Sequence, residues 1–320
     1  MKYTWIWMFM AALLLPPAAT AEDAFPSKPI KVIVPFTPGA GSDIAARFFG
    51  AQMGAVLGTT VVVENRPGAF GAVAVGAVKS APADGYTLFL GGNSPITVNP
   101  VVVANLSYDP VKELKPVSGL ARNTNVFIVP PNSKLRTLAD LVATAKQGSQ
   151  PLNAGTPAAG YYLVLEWFAS EAGIKFNHIP YKGGGQTYND VASGQIDLAV
   201  GELAGTAGLI KSGKVRALAM TSNTRHPEFP DVPTVKESGY PTFVSYSWNS
   251  FYVRAETPDA ITAKLAEAMK KVMATEAARK FVRTAGTELL PLGPKDMRKF
   301  QMEEMARFQG IADKAGIKPQ

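Results

Sequence analysis

The fold is decided by the stretch Pro35-Phe36-Thr37-Pro38-Gly39-Ala40-Gly41-Ser42-Asp43, which joins an apolar run, Ile30–Val34, to a helical pattern over residues 43–57. The apolar run is β-branched and predicts a strand. Glycines between a strand and a helix permit a tight turn and a close approach of the backbone to a ligand. The first N–H groups of the helix have no helical partner and lie at the positive end of its dipole. This turn therefore predicts an anion site, with Ser42 or Asp43 as N-cap being the simpler interpretation of those two side chains.

Short apolar runs alternate with helical patterns along most of the chain, which is typical of βαβ units around a parallel sheet. Strands that are apolar throughout, rather than alternating, indicate a sheet that helices cover on both faces. The pattern restarts near Asn125, so two successive α/β blocks favour two lobes. The predicted strands are 30–34, 60–63, 87–90, 126–129, 152–154, 176–179, 198–200, 215–220 and 245–253. The predicted helices are 43–57, 69–79, 138–146, 161–172, 187–192, 259–274, 276–284 and 294–315.

Residues 1–21 have the pattern of a cleavable export signal. Lys2 precedes an apolar run over residues 5–15, and Ala19-Thr20-Ala21 supplies small residues for signal peptidase. The run is shorter than the roughly 20 apolar residues that span a bilayer. We therefore predict cleavage near Ala21 and a mature chain that begins near Glu22 and lies outside the cytoplasm.

Composition excludes several kinds of chemistry. The 320 residues include no cysteine and 2 histidines, so disulfides, thiolate metal sites, thiol nucleophiles and three-histidine sites are excluded. The formal net charge is +7, but the basic residues are scattered and no basic run is interleaved with aromatic residues. That distribution argues against nucleic-acid binding and leaves a mild attraction for anions. We predict no metal and no cofactor.

A nucleotide-dependent enzyme is the distant alternative. Gly39-x-Gly41 begins a dinucleotide-binding pattern, but Ile44 stands where a glycine or alanine is needed. Gly183-Gly184-Gly185 lacks the Lys-Ser/Thr end of a phosphate loop. The chain has no G-x-S-x-G and no H-E-x-x-H motif, and His178, in an apolar strand, is best interpreted as structural. The prediction is that the protein is not an enzyme.

Further motifs follow the first turn in a fixed order along the chain. They are Phe25-Pro26-Ser27-Lys28-Pro29-Ile30, Val62-Val63-Glu64-Asn65-Arg66-Pro67-Gly68, Ala83-Asp84-Gly85-Tyr86-Thr87-Leu88, Tyr108-Asp109-Pro110-Val111, Ile179-Pro180-Tyr181-Lys182-Gly183-Gly184, Gly194-Gln195-Ile196-Asp197, Gly213-Lys214-Val215-Arg216 and Pro230-Asp231-Val232-Pro233. Together with the turn, they resemble the Bug family, the periplasmic solute-binding proteins associated with tripartite tricarboxylate transporters. The resemblance covers essentially the whole chain after residue 21.

The resemblance implies a two-lobed α/β periplasmic-binding-protein fold (type II-like), with a parallel-rich sheet flanked by helices in each lobe and a ligand cleft between the lobes. Residues 22–124 plus 245–320 would form lobe 1 and residues 125–244 lobe 2, with hinge strands near 124 and 245. The implied function is capture of a small carboxylate and its delivery to a tripartite tricarboxylate-type permease, with a sensor protein as the alternative partner. We expect a monomer that binds no nucleic acid.

The resemblance also implies which residues meet the ligand. They are the first turn with Phe36, Thr37, Pro38, Gly39, Ala40, Gly41, Ser42 and Asp43, its lobe 2 counterpart with Thr156, Pro157, Ala158, Ala159 and Gly160, the loop residues Asn93 and Ser94, the strand-end residues Gly201 and Glu202, and the aromatic residues Tyr161, Tyr162 and Trp248.

Three departures from the family pattern bear on the ligand. Ala40 replaces a common glycine and requires a negative φ. Gly201 replaces a common aspartate, which lowers the expectation of an amino-acid ligand, because an ammonium needs a carboxylate partner. Tyr161 and Tyr162 stand where the family has smaller residues and a histidine, and with Phe36 and Trp248 they could stack on a ring or simply pack the lobes. We predict an aromatic mono- or dicarboxylate, terephthalate- or nicotinate-like, with aliphatic di- and tricarboxylates as the alternative.

Overall fold

A computed structural model describes residues 25–319 of the chain. The predicted export signal and its cleavage site lie outside the described residues. Within them the chain is a mixed α/β protein, as the alternating pattern predicts. Its strands are β1 (Ile30–Val34), β2 (Val61–Asn65), β3 (Thr87–Gly92), β4 (Leu114–Val129), β5 (Leu152–Thr156), β6 (Phe176–Pro180), β7 (Leu198–Glu202), β8 (Arg216–Met220), β9 (Tyr246–Arg254) and β10 (Thr287–Leu289).

Helices cover both parts of the sheet. They are α1 (Gly41–Leu57), α2 (Ala72–Lys79), α3 (Asn99–Val102), α4 (Pro110–Glu113), α5 (Leu138–Gln147), α6 (Ala159–Ala172), α7 (Gly184–Ala192), α8 (Leu203–Lys211), α9 (Asp259–Met273), α10 (Glu276–Ala285) and α11 (Pro294–Ala315), with a 3₁₀ turn at Ala69–Gly71 and a π-helical turn at Asn93–Val98.

The strands follow one curled path in the order β2-β1-β3-β9-β4-β7-β5-β6, and β8 and β10 also pair with β4. We call the strands β2, β1, β3, β9 and β10 the first half of the sheet and β7, β5, β6 and β8 the second half. Strands β1, β2 and β3 pair in parallel in the first half, and β5, β6 and β7 do so in the second. Parallel strands joined through helices account for the apolar runs in the sequence.

The two halves share β4, a strand of 16 residues. Its residues 114–124 pair antiparallel with β9, ending at Thr124 opposite Tyr246. From Asn125, opposite Glu202, its residues pair with β7 and, through residues 126–129, with β8. The sequence pattern predicts only residues 126–129 as strand, because Lys115, Pro116 and the polar residues 122–124 interrupt the apolar run. The predicted lobe boundaries near 124 and 245 stay a prediction, although the change of pairing falls beside them.

Each half has its own core. Phe49 and Met53 of α1 pack with Leu265 of α9 against the first half. Phe127, Phe168 and Phe243 form the centre of the second core. Separate cores joined by shared strands let two bodies move as units.

Several predicted elements need correction. The helix predicted over 69–79 begins at Ala72, because Ala69 (φ 45°) and Phe70 (φ 52°) are left-handed and form a turn. Helix α8 escapes the sequence pattern, since its glycines and small residues give no wide apolar stripe. Helices α1 and α6 each begin two residues earlier than predicted, at Gly41 and Ala159.

Thr221 connects β4 to the residue that precedes β9 by hydrogen bonds, at the point where β4 changes its pairing partners. Its hydroxyl donates to the Ser245 carbonyl at 2.5 Å and accepts the Asn125 N–H at 3.2 Å. Its backbone N–H donates to the Asn125 carbonyl at 2.9 Å, and its carbonyl accepts the Ser245 N–H at 2.8 Å. The residue is completely buried.

Thr221→Val should lower the free energy of unfolding by about 1–3 kcal/mol, because it keeps the shape but leaves the Ser245 carbonyl without its hydroxyl donor. Urea unfolding measures the change. Thr144→Val, at an exposed position in α5, is the matched control and should change stability by less than about 0.5 kcal/mol. Equal losses in the two variants would contradict the role given to the Thr221 hydroxyl.

Candidate functional site

A cavity of about 30 Å³ lies between the two halves, at the carboxyl ends of β3 and β7. A space of this size admits about two water molecules, so the cleft must widen to admit an organic ligand. The lining residues are Phe36, Gly92, Asn93, Ser94, Asn125, Gly160, Tyr161, Val164, Glu202, Ser245, Ser247, Trp248, Asn249 and Phe308. A smaller recess of about 20 Å³ shares Phe36, Tyr161 and Glu202 with it and adds Ala40, Gly41, Ser42, Pro157, Gly184 and Tyr188.

The first turn presents the start of α1 to this recess. Ala40 is the N-cap, with φ −65° and ψ 153°, and no side chain caps the helix. The negative φ meets the condition that the sequence sets for an alanine at this position. Gly39 supplies the left-handed residue of the turn, with φ 82°. The interpretation of Ser42 or Asp43 as N-cap is wrong, because these residues occupy the second and third positions of the helix.

Asp43 holds the turn rather than facing the cavity. Its carboxylate accepts hydrogen bonds from the Gly39 N–H (3.0 Å), Arg47 Nε (3.1 Å) and Asn65 Nδ2 (2.8 Å). The same Asn65 amide donates to the Phe36 carbonyl at 2.9 Å. Burial raises the pKa of Asp43, but the hydrogen bonds from Arg47, Gly39 and Asn65 outweigh it and hold the pKa below its ordinary value. Thr37, Pro38 and Gly39 of the turn likewise lie outside the cavity lining.

Helix α6 begins at the opposite side of the cavity. Its N-cap, Ala158, is extended (φ −162°) and provides no side-chain cap. The Gly160 N–H donates to Ser94 Oγ at 2.9 Å, which joins α6 to the π-helical turn of the first half. Asn93 is fixed to β9, with Nδ2 donating to the Tyr246 carbonyl and Oδ1 accepting the Trp248 N–H. The second predicted turn therefore meets the loop after β3, and Thr156 and Ala159 are buried outside the lining.

Glu202 places a carboxylate in the cleft. The residue is 9% exposed and borders both the cavity and the recess. Its Oε1 accepts a hydrogen bond from Ser247 Oγ at 3.3 Å, and the Tyr161 hydroxyl is a second partner. Burial raises the pKa of Glu202 to about 7, against the lowering effect of the hydrogen bonds from Ser247 and Tyr161. The carboxylate is therefore partly protonated near neutral pH.

Strand alternation explains why Glu202 and not Gly201 faces the cavity. A Cβ at Gly201 would lie 2.4 Å from the Tyr188 ring, so this position is covered by α7. The Tyr188 hydroxyl accepts the Glu202 N–H at 3.2 Å. Glu202, which the sequence also predicts to meet the ligand, places a carboxylate beside the position of Gly201, so the replacement at Gly201 alone does not argue against an amino-acid ligand.

The four aromatic residues that were predicted to meet the ligand do not all lie at the cavity. Phe36, Tyr161 and Trp248 line the cavity, but Tyr162 does not. Successive helix residues point about 100° apart, and the Tyr162 ring lies instead against His178, with 4.6 Å between ring centroids. The Tyr161 hydroxyl is engaged by Glu202, and Trp248 is buried against Phe300. Phe36 is the half-buried ring that remains available for stacking on a ligand.

The cavity lining also includes Asn125 and Asn249, which the sequence does not single out, beside Trp248, which it does. Asn125 Oδ1, Trp248 Nε1 and Asn249 Nδ2 are buried and have no hydrogen-bond partner within the described part of the protein. Such groups are costly unless a ligand or water satisfies them. The run Ser247-Trp248-Asn249-Ser250, polar residues within an otherwise aromatic strand, is the sequence feature that could have found them.

Comparisons with known proteins agree with this architecture. A model of the tripartite tricarboxylate transporter family receptor matches residues 45–317. Protein BugT of Bordetella pertussis is 32% identical over 304 residues, 94% of this chain and 93% of that protein. The periplasmic binding protein BugD has a TM-score of 0.88 at 28% identity, covering 92% of this chain and 100% of BugD. A protein of R. palustris solved with adipate has a TM-score of 0.89 at 30% identity, again covering 92% and 100%.

The fold is therefore that of the periplasmic binding proteins, as the sequence resemblance implies. Within residues 25–319, no helix is both long and apolar enough to cross a membrane.

Glu202→Gln should stabilise the ligand-free protein more at pH 8 than at pH 5. Because the folded chain has the higher pKa, the contribution of Glu202 to stability is complete below about pH 4.5 and is lost as pH rises through about 7. Glutamine is neutral throughout, so the difference in unfolding free energy between variant and native chain should grow by about 2 kcal/mol over this range. Urea unfolding at the two pH values measures it, with exposed Glu171→Gln as control. A pH-independent difference would show that burial does not destabilise the Glu202 charge.

Proposed function

The chain belongs to the tripartite tricarboxylate transporter receptor family, and from this premise we propose that it captures a small carboxylate in the periplasm and delivers it to a permease of the tripartite tricarboxylate type. The observation that carries the proposal is that two helix starts converge on the cavity and the recess beside it. Helix α1 arrives from the first half with Ala40 as its cap, and α6 arrives from the second half with Ala158. Neither N-cap residue supplies a side-chain cap, although the Gly160 N–H of α6 donates to Ser94 Oγ.

Both helix starts favour an anion. They are 17 and 14 residues long, so each carries a full dipole with its positive end at the cavity. Trp248 Nε1 and Asn249 Nδ2 add side-chain donors from β9. A carboxylate accepts hydrogen bonds at both oxygens, and donors at fixed positions hold it without a buried cation.

Because these donors lie on both halves, a ligand that binds all of them brings the two halves together. We propose that the halves correspond to lobes 22–124 plus 245–320 and 125–244, which separate by bending at β4 and β9. The closed form makes contacts that the open form cannot, so a ligand bound to both halves shifts the equilibrium towards closure. The permease would then recognise the closed form.

The class of carboxylate has two candidates. Phe36 borders both the cavity and the recess and supports an aromatic acid, because its ring is free to stack. The adipate bound by the similar R. palustris protein supports an aliphatic diacid. We place the aromatic acid first, since the stacking residue belongs to this chain.

A thermal-shift screen should show that at least one aromatic or aliphatic carboxylate raises the melting temperature, because a ligand that binds only the folded state stabilises it. Gly160→Val should weaken that ligand at least about tenfold, since a Cβ at Gly160 already lies 3.0 Å from Ser94 Oγ at the start of α6. Gly208→Val is the matched control, because a Cβ at this helical glycine meets no atom within 4 Å. A shift with a nucleotide and with no acid would overturn the proposal.

Phe36→Ala should separate the two ligand classes. Loss of the ring should weaken an aromatic acid such as terephthalate by about tenfold and an aliphatic acid such as adipate much less, because only the aromatic acid loses stacking. Tyr162→Ala is the control, since Tyr162 lies outside the cavity lining, and it should leave both affinities unchanged. Calorimetric titration measures the six affinities of the native chain and the two variants for the two acids. Equal losses for the two acids in Phe36→Ala would remove the case for an aromatic ligand.

A further inference from the structure

The cleft proposed to hold an anion already contains one anionic side chain. Glu202 ends β7 and caps α8, so its backbone position is fixed by both elements. Its side chain makes no capping hydrogen bond to α8, and the residue borders the cavity and the recess. A carboxylate in this position is a permanent part of the surface that any ligand meets.

Glu202 has hydroxyl partners but no cationic partner. Within residues 25–319, no lysine, arginine or histidine side chain forms an ion pair with it. Ser247 and Tyr161 supply one hydroxyl each, whereas a carboxylate offers about four acceptor positions. A buried carboxylate with unused acceptor positions is favourable only if another donor reaches it.

The carboxylate also lies close to the start of α1. A Cβ at Gly41 would fall 2.2 Å from Glu202 Oε2, so the oxygen occupies the space that a side chain at Gly41 would fill. The absence of that side chain lets Glu202 lie against the start of α1. The first carboxylate of a ligand would therefore be held by the start of α6 and the donors of β9, and not at this place. A second ligand carboxylate directed at the same place would meet Glu202 at close range, and like charges at this distance repel strongly in a buried site.

We infer that Glu202 sets the functional group at the far end of the ligand: the cleft takes a carboxylate whose other end donates a hydrogen bond, through an ammonium, amide or hydroxyl group, and discriminates against a dianion of the same length. The inference rests on the proposed function, because it concerns the same cleft and assumes that one end of the ligand is a carboxylate. One end is held at the start of α6 and by the side-chain donors of β9, and the other end donates to Glu202. The selectivity therefore depends on one carboxylate of this chain.

Matched pairs of acids test this directly. The diacids are adipate and terephthalate, and each is compared with its own monoamide, which has the same length and one carboxylate replaced by a donor. Calorimetric titration at pH 8, where both diacids are dianions, gives the ratio of affinities for the native chain. We expect the monoamide of at least one pair to bind about tenfold tighter than its diacid, because a hydrogen bond to a charged group replaces a repulsion.

Glu202→Gln should abolish or reverse that preference, since the glutamine amide can donate to a second carboxylate. Glu171→Gln, an exposed position on α6, should leave the ratio unchanged. Should Glu202→Gln fail to fold, the native chain decides alone, because a diacid that binds it as tightly as the monoamide in both pairs overturns the inference.

The outcomes separate this inference from the proposed function. Diacids that bind equally well to the native chain and to Glu202→Gln overturn the inference and leave carboxylate capture standing. Failure of every acid and every monoamide to bind either chain overturns both.

Discussion

The two halves of the molecule share β4, and the geometry of the cleft depends on the point at which that strand changes partners. Up to Thr124 its residues pair with β9, and from Asn125 they pair with β7 and β8. Asn125, Glu202 and Ser247 reach the cavity from the strands that meet there. Hydrogen bonds of Thr221 to Asn125 and Ser245 stabilise the strands at this point. A bend in the shared strands would therefore change the separation of the two helix starts while each core keeps its own packing.

The electrostatics of the cleft are a balance between helix starts and one acid. Helix α1 begins at the recess and α6 at the cavity, neither with a side-chain cap from its N-cap residue, and the Gly160 N–H of α6 donates to Ser94 Oγ. Helix α7 begins beside the recess at Gly184. Their dipoles make the site favourable for an anion without any lysine or arginine in the lining. This positive potential favours the Glu202 carboxylate, but burial disfavours its charge more strongly and raises its pKa. The affinity for a ligand carboxylate then depends on the hydrogen-bond donors of the cleft, and the selectivity among ligands depends on Glu202.

Much of this arrangement could be predicted from the sequence, and the exceptions have physical causes. The turn from Phe36 to Asp43 and the three C-terminal helices follow from local pattern, since glycine, capping and apolar spacing act over a few residues. The direction of a side chain relative to a distant element does not follow from local pattern. Tyr162 was expected in the cleft and lies against His178, and Asn125 and Asn249 reach the cavity from strands whose register is set by tertiary pairing. Glu202 faces the cleft only because β7 continues through it, so the role of its carboxylate needed the structure.

The most direct measurement is a crystal structure with a bound carboxylate. The account predicts density between the halves, with one carboxylate of the ligand about 2.7–3.2 Å from N–H groups at the start of α1 or α6 and the two halves closed over it. The same crystal would show whether Asn249 Nδ2 and Trp248 Nε1 gain partners. A ligand bound on the outer surface, for instance in the groove between α9 and the loop before α11, or a carboxylate held by a lysine or arginine far from both helix starts, would contradict the account.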